Sequence, residues 1–441
     1  MHIAPLVPLL IIAAVASRHI LDNSFLWHIR AGSHQVDMGR VITEDPFSFR
    51  TVGEAWRTQS WLAELLYAWL ESLFGTLAWV NWMTFITACV VMAFAGIAVY
   101  RNVRSPILTG FVLILTAWLM GPFVQPRPVI FSYVLLAALV VVLQHRKSLA
   151  WVVVPIIWVW AAVHGSWVLG GALVLLEWIR TKDSDLFFAG AVAGLATLAT
   201  AHGLGAWEIV LDFFGSRDAL ALMEEWEAPE FGDVVQAPYF LIIVGIVIAA
   251  IRGKLSMRDL IVIVPFLFFG LTSRRAVVPA AIVLIPWAAM CLPELKPSSV
   301  RMGKPVVVAS LGVLAFASLS PMFLAPLGVL DDERFPSRPM VEAMGDDRAF
   351  HDDASGGYLI AAEWPDRLVY VDDRAELYGV DGLTPFHDVR AGMYEAEFDA
   401  WDIDVALVKP DWDLYDRLVE DGWTIRLEDE FFAVFERPQT P

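Results

Sequence analysis

The sequence predicts an α-helical polytopic membrane protein of about eleven spans that carries a small external α/β domain near its C-terminus. Three observations predict it. Of the 441 residues, 57% are hydrophobic and 18% charged, with a mean hydropathy of +0.59; a soluble chain carries about 25% charged residues. The apolar residues fall in many separate segments, near 3–20, 77–99, 106–124, 128–144, 149–163, 166–179, 186–203, 237–251, 259–273, 276–292 and 305–327. Charge is divided as sharply, with 29 acidic and 10 basic residues from Asp331 onward and 20 and 21 in the first 330. An acidic tail of this kind argues against nucleic acid or anionic lipid as its partner. The predicted domains are residues 1–329, a transmembrane domain with a first external loop at 21–75, and residues 330–441, the acidic α/β domain.

The first segment, MHIAPLVPLLIIAAVAS, lacks a basic leader, and we read it as the first span; the small residues at Ala14–Ala16 keep a cleaved signal peptide as the alternative. A spanning helix needs about 20 apolar residues, with a range of about 17–25. Several segments fall short, above all around 149–179 and 259–292, where Pro155 and the glycines 165, 170 and 171 mark kinked or re-entrant pieces. Basic residues cluster in alternate loops, at Arg101/Arg104, Arg146/Lys147, Arg180/Lys182, Arg252/Lys254/Arg258 and Lys296/Arg301/Lys304. By the positive-inside rule these loops are cytoplasmic. The expected product is a multi-pass protein of the cell membrane with a cytoplasmic N-terminus, its first loop and acidic tail outside. The two cysteines, Cys89 and Cys291, lie in apolar segments and suggest neither a disulfide framework nor a nucleophile.

The stretch Leu21–Trp61 is the first polar interruption, dense in Asp22, His28, Arg30, His34, Glu44 and Asp45 and interleaved with aromatic residues. Spacing predicts a helix over Ser24–Met38. One reading is an amphipathic anchor in the membrane interface; the other is an active-site loop, with Asp22, His28, Glu44 and Asp45 as candidate catalytic groups. Paired carboxylates suit general-base work or a divalent cation. Arg127, Arg274 and Arg275 sit at external ends of spans, where basic residues are disfavoured. They are either snorkelling at the membrane edge or clamping a lipid phosphate. His164, before a glycine, and Glu225, before Trp226, are further external candidates, each with a purely structural alternative.

In the tail, residues 367–373, 404–409, 423–427 and 431–437 read as strands and 388–401 and 413–421 as helices, a small α/β layer. Val371–Gly379 follows a strand end, where α/β folds place ligand sites, or is an ion-paired turn. No phosphate loop, GxSxG, HExxH or paired CxxC occurs.

The run Asp22…Phe25-Leu26-Trp27-His28-Ile29-Arg30-Ala31-Gly32, with Gly39, Asp45-Pro46-Phe47-Ser48, Trp56 and Ser60-Trp61-Leu62-Ala63-Glu64, resembles a group of prokaryotic membrane proteins similar to GT-C-type glycosyltransferases. Arg127-Pro128, His164-Gly165, Glu225-Trp226 and the tail pattern Asp372, Arg374, Glu376, Tyr378 extend the likeness over most of the chain. Relatives of the GT-C type include oligosaccharyltransferase catalytic subunits and protein O-mannosyltransferases. The resemblance implies many spans, a site in the first external loop, a polyprenyl-phosphate sugar donor and a mechanistic carboxylate where Asp22 stands. In the oligosaccharyltransferase branch a metal assists and in the mannosyltransferase branch it need not, so the resemblance leaves two alternatives open, a divalent cation (Mg or Mn) with Asp22 and Asp45 as candidate ligands, or no metal; Asp22-Asn23 departs from a paired acid. The expected reaction is sugar transfer from the lipid donor to an acceptor outside, with Arg30, Arg127, His164, Glu225, Arg274 and Arg275 binding substrate. The rivals are a non-catalytic scaffold of an envelope-glycan assembly complex and a lipid-linked-glycan transporter. Transporters often repeat one half in the other, and no such repeat is visible.

Overall fold

The computed structural model describes residues 7–16, 18–215, 227–233, 236–293 and 327–438. Its contacts divide the chain into two units: Met1–Arg18 with Thr76–Val210 and Met223–Gly328, and His19–Gly75 with Leu211–Leu222 and Val329–Pro441.

The first unit is helical because its segments are long, apolar and poor in turn residues. Among the described residues, four helices are long and apolar enough to cross a membrane, Ala78–Val103, Pro106–Phe123, Arg146–Val163 and Arg274–Cys291; Val129–Gln144, Ser184–Ala199, Ala237–Ile251 and Leu260–Phe269 are apolar but shorter. Internal prolines, Pro265 in Leu260–Phe269 and Pro279 and Pro286 in Arg274–Ala288, remove backbone donors where the sequence already looked short. The segment expected at 305–327 lies outside the described residues. The buried amide of Asn81 fastens the ends of this unit: Nδ2 donates to the Ala16 carbonyl at 2.6 Å, and Oδ1 accepts from the Gly328 amide at 2.8 Å.

The second unit joins two stretches that the sequence reading had assigned to different domains. Residues 21–75 were expected to belong with the transmembrane part, yet His19–Gly75 shares a unit with Val329–Pro441. One apolar core contains Trp27, Phe47 and Trp56 from the first stretch and Leu359, Val369 and Leu407 from the second. Backbone pairing repeats the message. Ile20 pairs with Leu330 and Ser48 with Val369, each in a parallel bridge. The Phe49 amide donates to the Val369 carbonyl at 3.1 Å and the Val369 amide to the Phe47 carbonyl at 2.9 Å.

The helix Ser24–Met38 has the expected bounds and ends at Gly39, whose φ of 66° only glycine adopts without strain. It buries Phe25, Leu26, Trp27 and His28, four consecutive residues that between them face every side of its first turns. That pattern does not fit an interfacial anchor, which keeps a polar face in water. Its nearest neighbour, Trp61–Phe74, comes close because Gly32 lacks a side chain: a Cβ there would lie 2.0 Å from the Glu64 carbonyl oxygen.

Four short strands form one sheet in the order β1-β2-β4-β3: β1 Ala349–Phe350, β2 Val405–Val408, β3 Thr424–Glu428 and β4 Ala433–Glu436. β1 and β2 are parallel, whereas β4 runs antiparallel to both β2 and β3. The strand expected at 367–373 is not in this sheet; its Val369 pairs with Ser48 instead. The helix expected at 388–401 is two, Ala375–Arg390 and Glu395–Trp401, separated by Gly392 at φ 88°.

Gly32→Ala forces a methyl group into the Glu64 backbone, a form of overpacking that costs about 1–3 kcal/mol. The expected outcome is a lower thermal midpoint of the purified protein; an unchanged midpoint would show that the helix pair is not closely packed.

Candidate functional site

The second unit gathers a buried polar cluster between its first two helices. Glu64 would be costly in an apolar helix unless fully bonded. Its Oε1 accepts from His28 Nδ1 at 2.9 Å and from the Thr58 hydroxyl, and its Oε2 accepts from Gln35 Nε2 at 2.5 Å. Both Glu64 and Tyr67 are fully buried, and His28 nearly so. Donation from His28 to the Glu64 carboxylate oxygen uses Nδ1–H and leaves Nε2 as the other ring nitrogen. Tyr67 faces His28, ring centroids 6.3 Å apart. Burial, and then the charges of Asp22 and Glu64, raise the Tyr67 phenol well above its usual range. Asp22 is itself buried at 3% exposure. Asp22, His28, Glu64 and Tyr67 thus form one neighbourhood, able to position and exchange protons.

Glu64 and Tyr67 were missed as site residues. Their signal was a single acid in an otherwise apolar helical run, WLAELLYAWL, three positions before a tyrosine.

Asp45, expected as a catalytic or cation-binding carboxylate, has a different occupation. It accepts from the backbone amides of Phe47 and Ser48 at 3.1 and 3.2 Å, the Thr51 hydroxyl at 2.7 Å and Arg374 Nη1 at 2.6 Å. Arg374 also grips Asp372 with two nitrogens, Nε at 2.7 Å and Nη2 at 2.5 Å, and Tyr378 donates to Asp372 at 2.9 Å. The three charged side chains are fully buried. Burial opposes the Arg374 charge, but Asp372 and Asp45 override it and hold the guanidinium protonated. The tail motif expected as a surface turn or a ligand site is therefore an interior ion pair.

Glu44 is exposed, pairs through its backbone with Ala55, and lines a pocket of about 210 Å³ beside His34 and Arg40. Arg30 donates from Nη2 to the Ala361 carbonyl and so braces the helix Asp353–Glu363. Among the described residues, no group of three or more His, Cys, Asp or Glu side chains is placed to hold a metal ion.

In the first unit, His164 ends the helix Val153–Val163. Its Nδ1 accepts from the Ser166 amide at 3.1 Å, and the Ser166 hydroxyl donates to Ser132 at 3.0 Å. Arg127 is half-buried just before the helix Val129–Gln144. Arg274 pairs with Glu227 at 3.2 Å and lies 3.9 Å from Glu230, while Arg275 follows in the same helical turn. Glu225 lies outside the described residues.

No family model matches this chain, and no curated protein matches it either.

A buried histidine and a half-buried aspartate contribute to the pH response of this unit. His351 is held neutral, its Nδ1 donating to the Asp352 carbonyl at 2.9 Å and its Nε2 accepting from the Tyr370 amide at 3.0 Å. Burial lowers its pKa from 6.5 to about 4. Burial, then the charges of Asp352 and Asp373, raise Asp353 from 3.8 to about 6. As pH falls from 6.5 to 4, the unfolded chain takes up the histidine proton first, so the His351 contribution to stability is lost. Asp353 works oppositely, since the folded state takes its proton first below about 6. Asp353→Asn removes one of the groups that oppose the histidine. Its thermal midpoint should fall more steeply than the parent's between pH 6.5 and 4; parallel profiles would contradict the assignment.

Proposed function

We propose that this chain is an integral membrane glycosyltransferase of GT-C-like architecture, with about eleven spans and its polar loop and tail on the external face of the cell membrane. It would move a sugar from a polyprenyl-phosphate-type lipid to an acceptor outside. One observation carries the reading: a buried acid, Asp22, sits directly after the first apolar segment, in the neighbourhood of the His28–Glu64 pair and Tyr67. In this reading Asp22 deprotonates or orients the acceptor. His28, fixed by Glu64, relays the proton. Arg30, Arg127, His164, Glu225, Arg274 and Arg275 are the substrate-binding groups. Positive groups aimed at a departing phosphate stabilise developing charge, commonly the largest catalytic contribution. Glu44 is exposed and remains a rim candidate, while Asp45 supports the fold through Arg374.

A second reading, a non-catalytic scaffold, is favoured by two specific observations. Asp45 is spent on structure and Arg274 already has a carboxylate partner, Glu227.

The two readings separate on Asp22→Asn, assayed by mass analysis of lipid-linked and envelope glycans in a strain relying on the variant. The expected outcome is normal membrane insertion with sugar transfer down by about 10²–10⁴-fold, the usual weight of a general base. Transfer at the parent rate would sink the base assignment. Glu64→Gln should lower transfer and displace its pH optimum, because the histidine loses its orienting charge; an unmoved pH profile would count against His28.

A further inference from the structure

The helices Val153–Val163, Trp167–Thr181 and Ser184–Ala196 leave open an apolar groove of about 300 Å³, with Ile157, Leu175, Trp178 and Phe187 in its walls. Its width depends on two glycines. At Gly171 and Gly194, both lining residues, an added Cβ would meet no atom within 4 Å. Close helix packing therefore does not explain them. Gly170 shows the contrast, since a Cβ there would lie 2.7 Å from Ile157 and Trp160. Leu175 and Phe187 are 52% and 46% exposed, so the groove opens outward along apolar side chains.

One end of the groove carries a lysine, followed in the chain by Asp183 and Asp185. The Lys182 ammonium sits 5.1 Å from the ring centroid of Trp178, itself a groove wall. The neighbouring cations are already committed: Arg180 bonds Glu177 and Asp259 at 2.6 and 3.0 Å, and Arg146 lies 3.5 Å from Asp183. Lys182 is exposed and, among the described residues, has no acidic partner.

We propose that this groove holds one acyl chain of an anionic membrane phospholipid, with its phosphate on Lys182. Lipid tails are as apolar as the groove, so burial alone selects nothing there. Selection comes from the fit of a thin chain between glycines and from one headgroup charge on one ammonium. A single lysine near an anionic surface corresponds to a preference of about five-fold. The inference does not depend on the sugar-transfer reading.

The test is native mass spectrometry of the full-length protein in detergent, with dioleoyl-phosphatidylglycerol and dioleoyl-phosphatidylcholine added in equal amounts. The parent should retain one lipid, with the glycerol headgroup favoured about five-fold. Lys182→Glu should keep a bound lipid and lose the preference, and the Gly171→Leu/Gly194→Leu pair should lose the lipid. Equal retention of the two lipids by the parent would overturn the proposal, as would a preference that survives Lys182→Glu. Displacement of phosphatidylglycerol by an isoprenoid phosphate would also overturn it. Should the paired leucine variant fail to fold, the exposed Lys182→Glu variant decides the question by itself.

Discussion

The second unit depends on one buried guanidinium. Arg374 is ringed by Asp372 and Asp45 and stacked near Trp56, Phe47 and Trp27, its carbon 4.5, 5.2 and 5.7 Å from their centroids. Two acids against one arginine leave a net negative charge in the interior, which is tolerable only when every lone pair has a donor. The donors are present: Tyr378 for Asp372, and Thr51 with the Phe47 and Ser48 amides for Asp45. Removing one member of such a buried set costs about 3–5 kcal/mol, because the remaining charges lose their compensation. Lysine cannot replace this arginine, having neither the planar fork nor the aromatic stacking.

From this centre the order of the candidate site follows. Asp45 fixes the turn at 45–51, and that turn carries residues 47–49, which pair with Val369. Trp27, over the guanidinium, also donates to Asp373 at 2.6 Å, which fixes the helix Ser24–Met38 along its length. His28 is the next residue on that helix, and Gly32 one turn further lets Glu64 approach it. An ion pair formed by residues far apart in the sequence thereby sets the orientation of an imidazole that it does not touch. Such support holds a side chain to a narrow range of geometry.

Local pattern was readable wherever a local cause decided the outcome. The helix Ser24–Met38 is legible because a helical pattern, with Gly32 its one interior glycine, ends at Gly39. β2, β3 and β4 are legible as short β-branched runs. The apolar helices are legible from hydropathy, though not their exact lengths; helices continue through the prolines at 265, 279 and 286, which read as breaks in the sequence. What was not legible depended on distant partners. β1 has only two residues, too few for any pattern, and exists because β2 lies beside it. Residues 367–373 look like a strand, but Val369 finds its partner at Ser48. Ala375–Arg390 is broken at Gly379, with φ 62° and ψ -172°, and Gly382 and Pro385 further obscure the helical pattern that follows. At the site, Asp22 and His28 stood out by position and chemistry. Asp45 was misread because its partner Arg374 is 329 residues away. Glu64 was overlooked because burial, which makes it consequential, is invisible in a linear chain.

Hydrogen exchange on the Arg374→Ala protein tests most directly whether residues 19–75 and 329–441 fold as one domain. Amides of Ser24–Met38 and of Val405–Val408 should lose protection together, since the lost guanidinium strands carboxylates from both stretches. Loss of protection confined to Val405–Val408, with Ser24–Met38 exchanging as in the parent, would contradict a shared domain built around this residue.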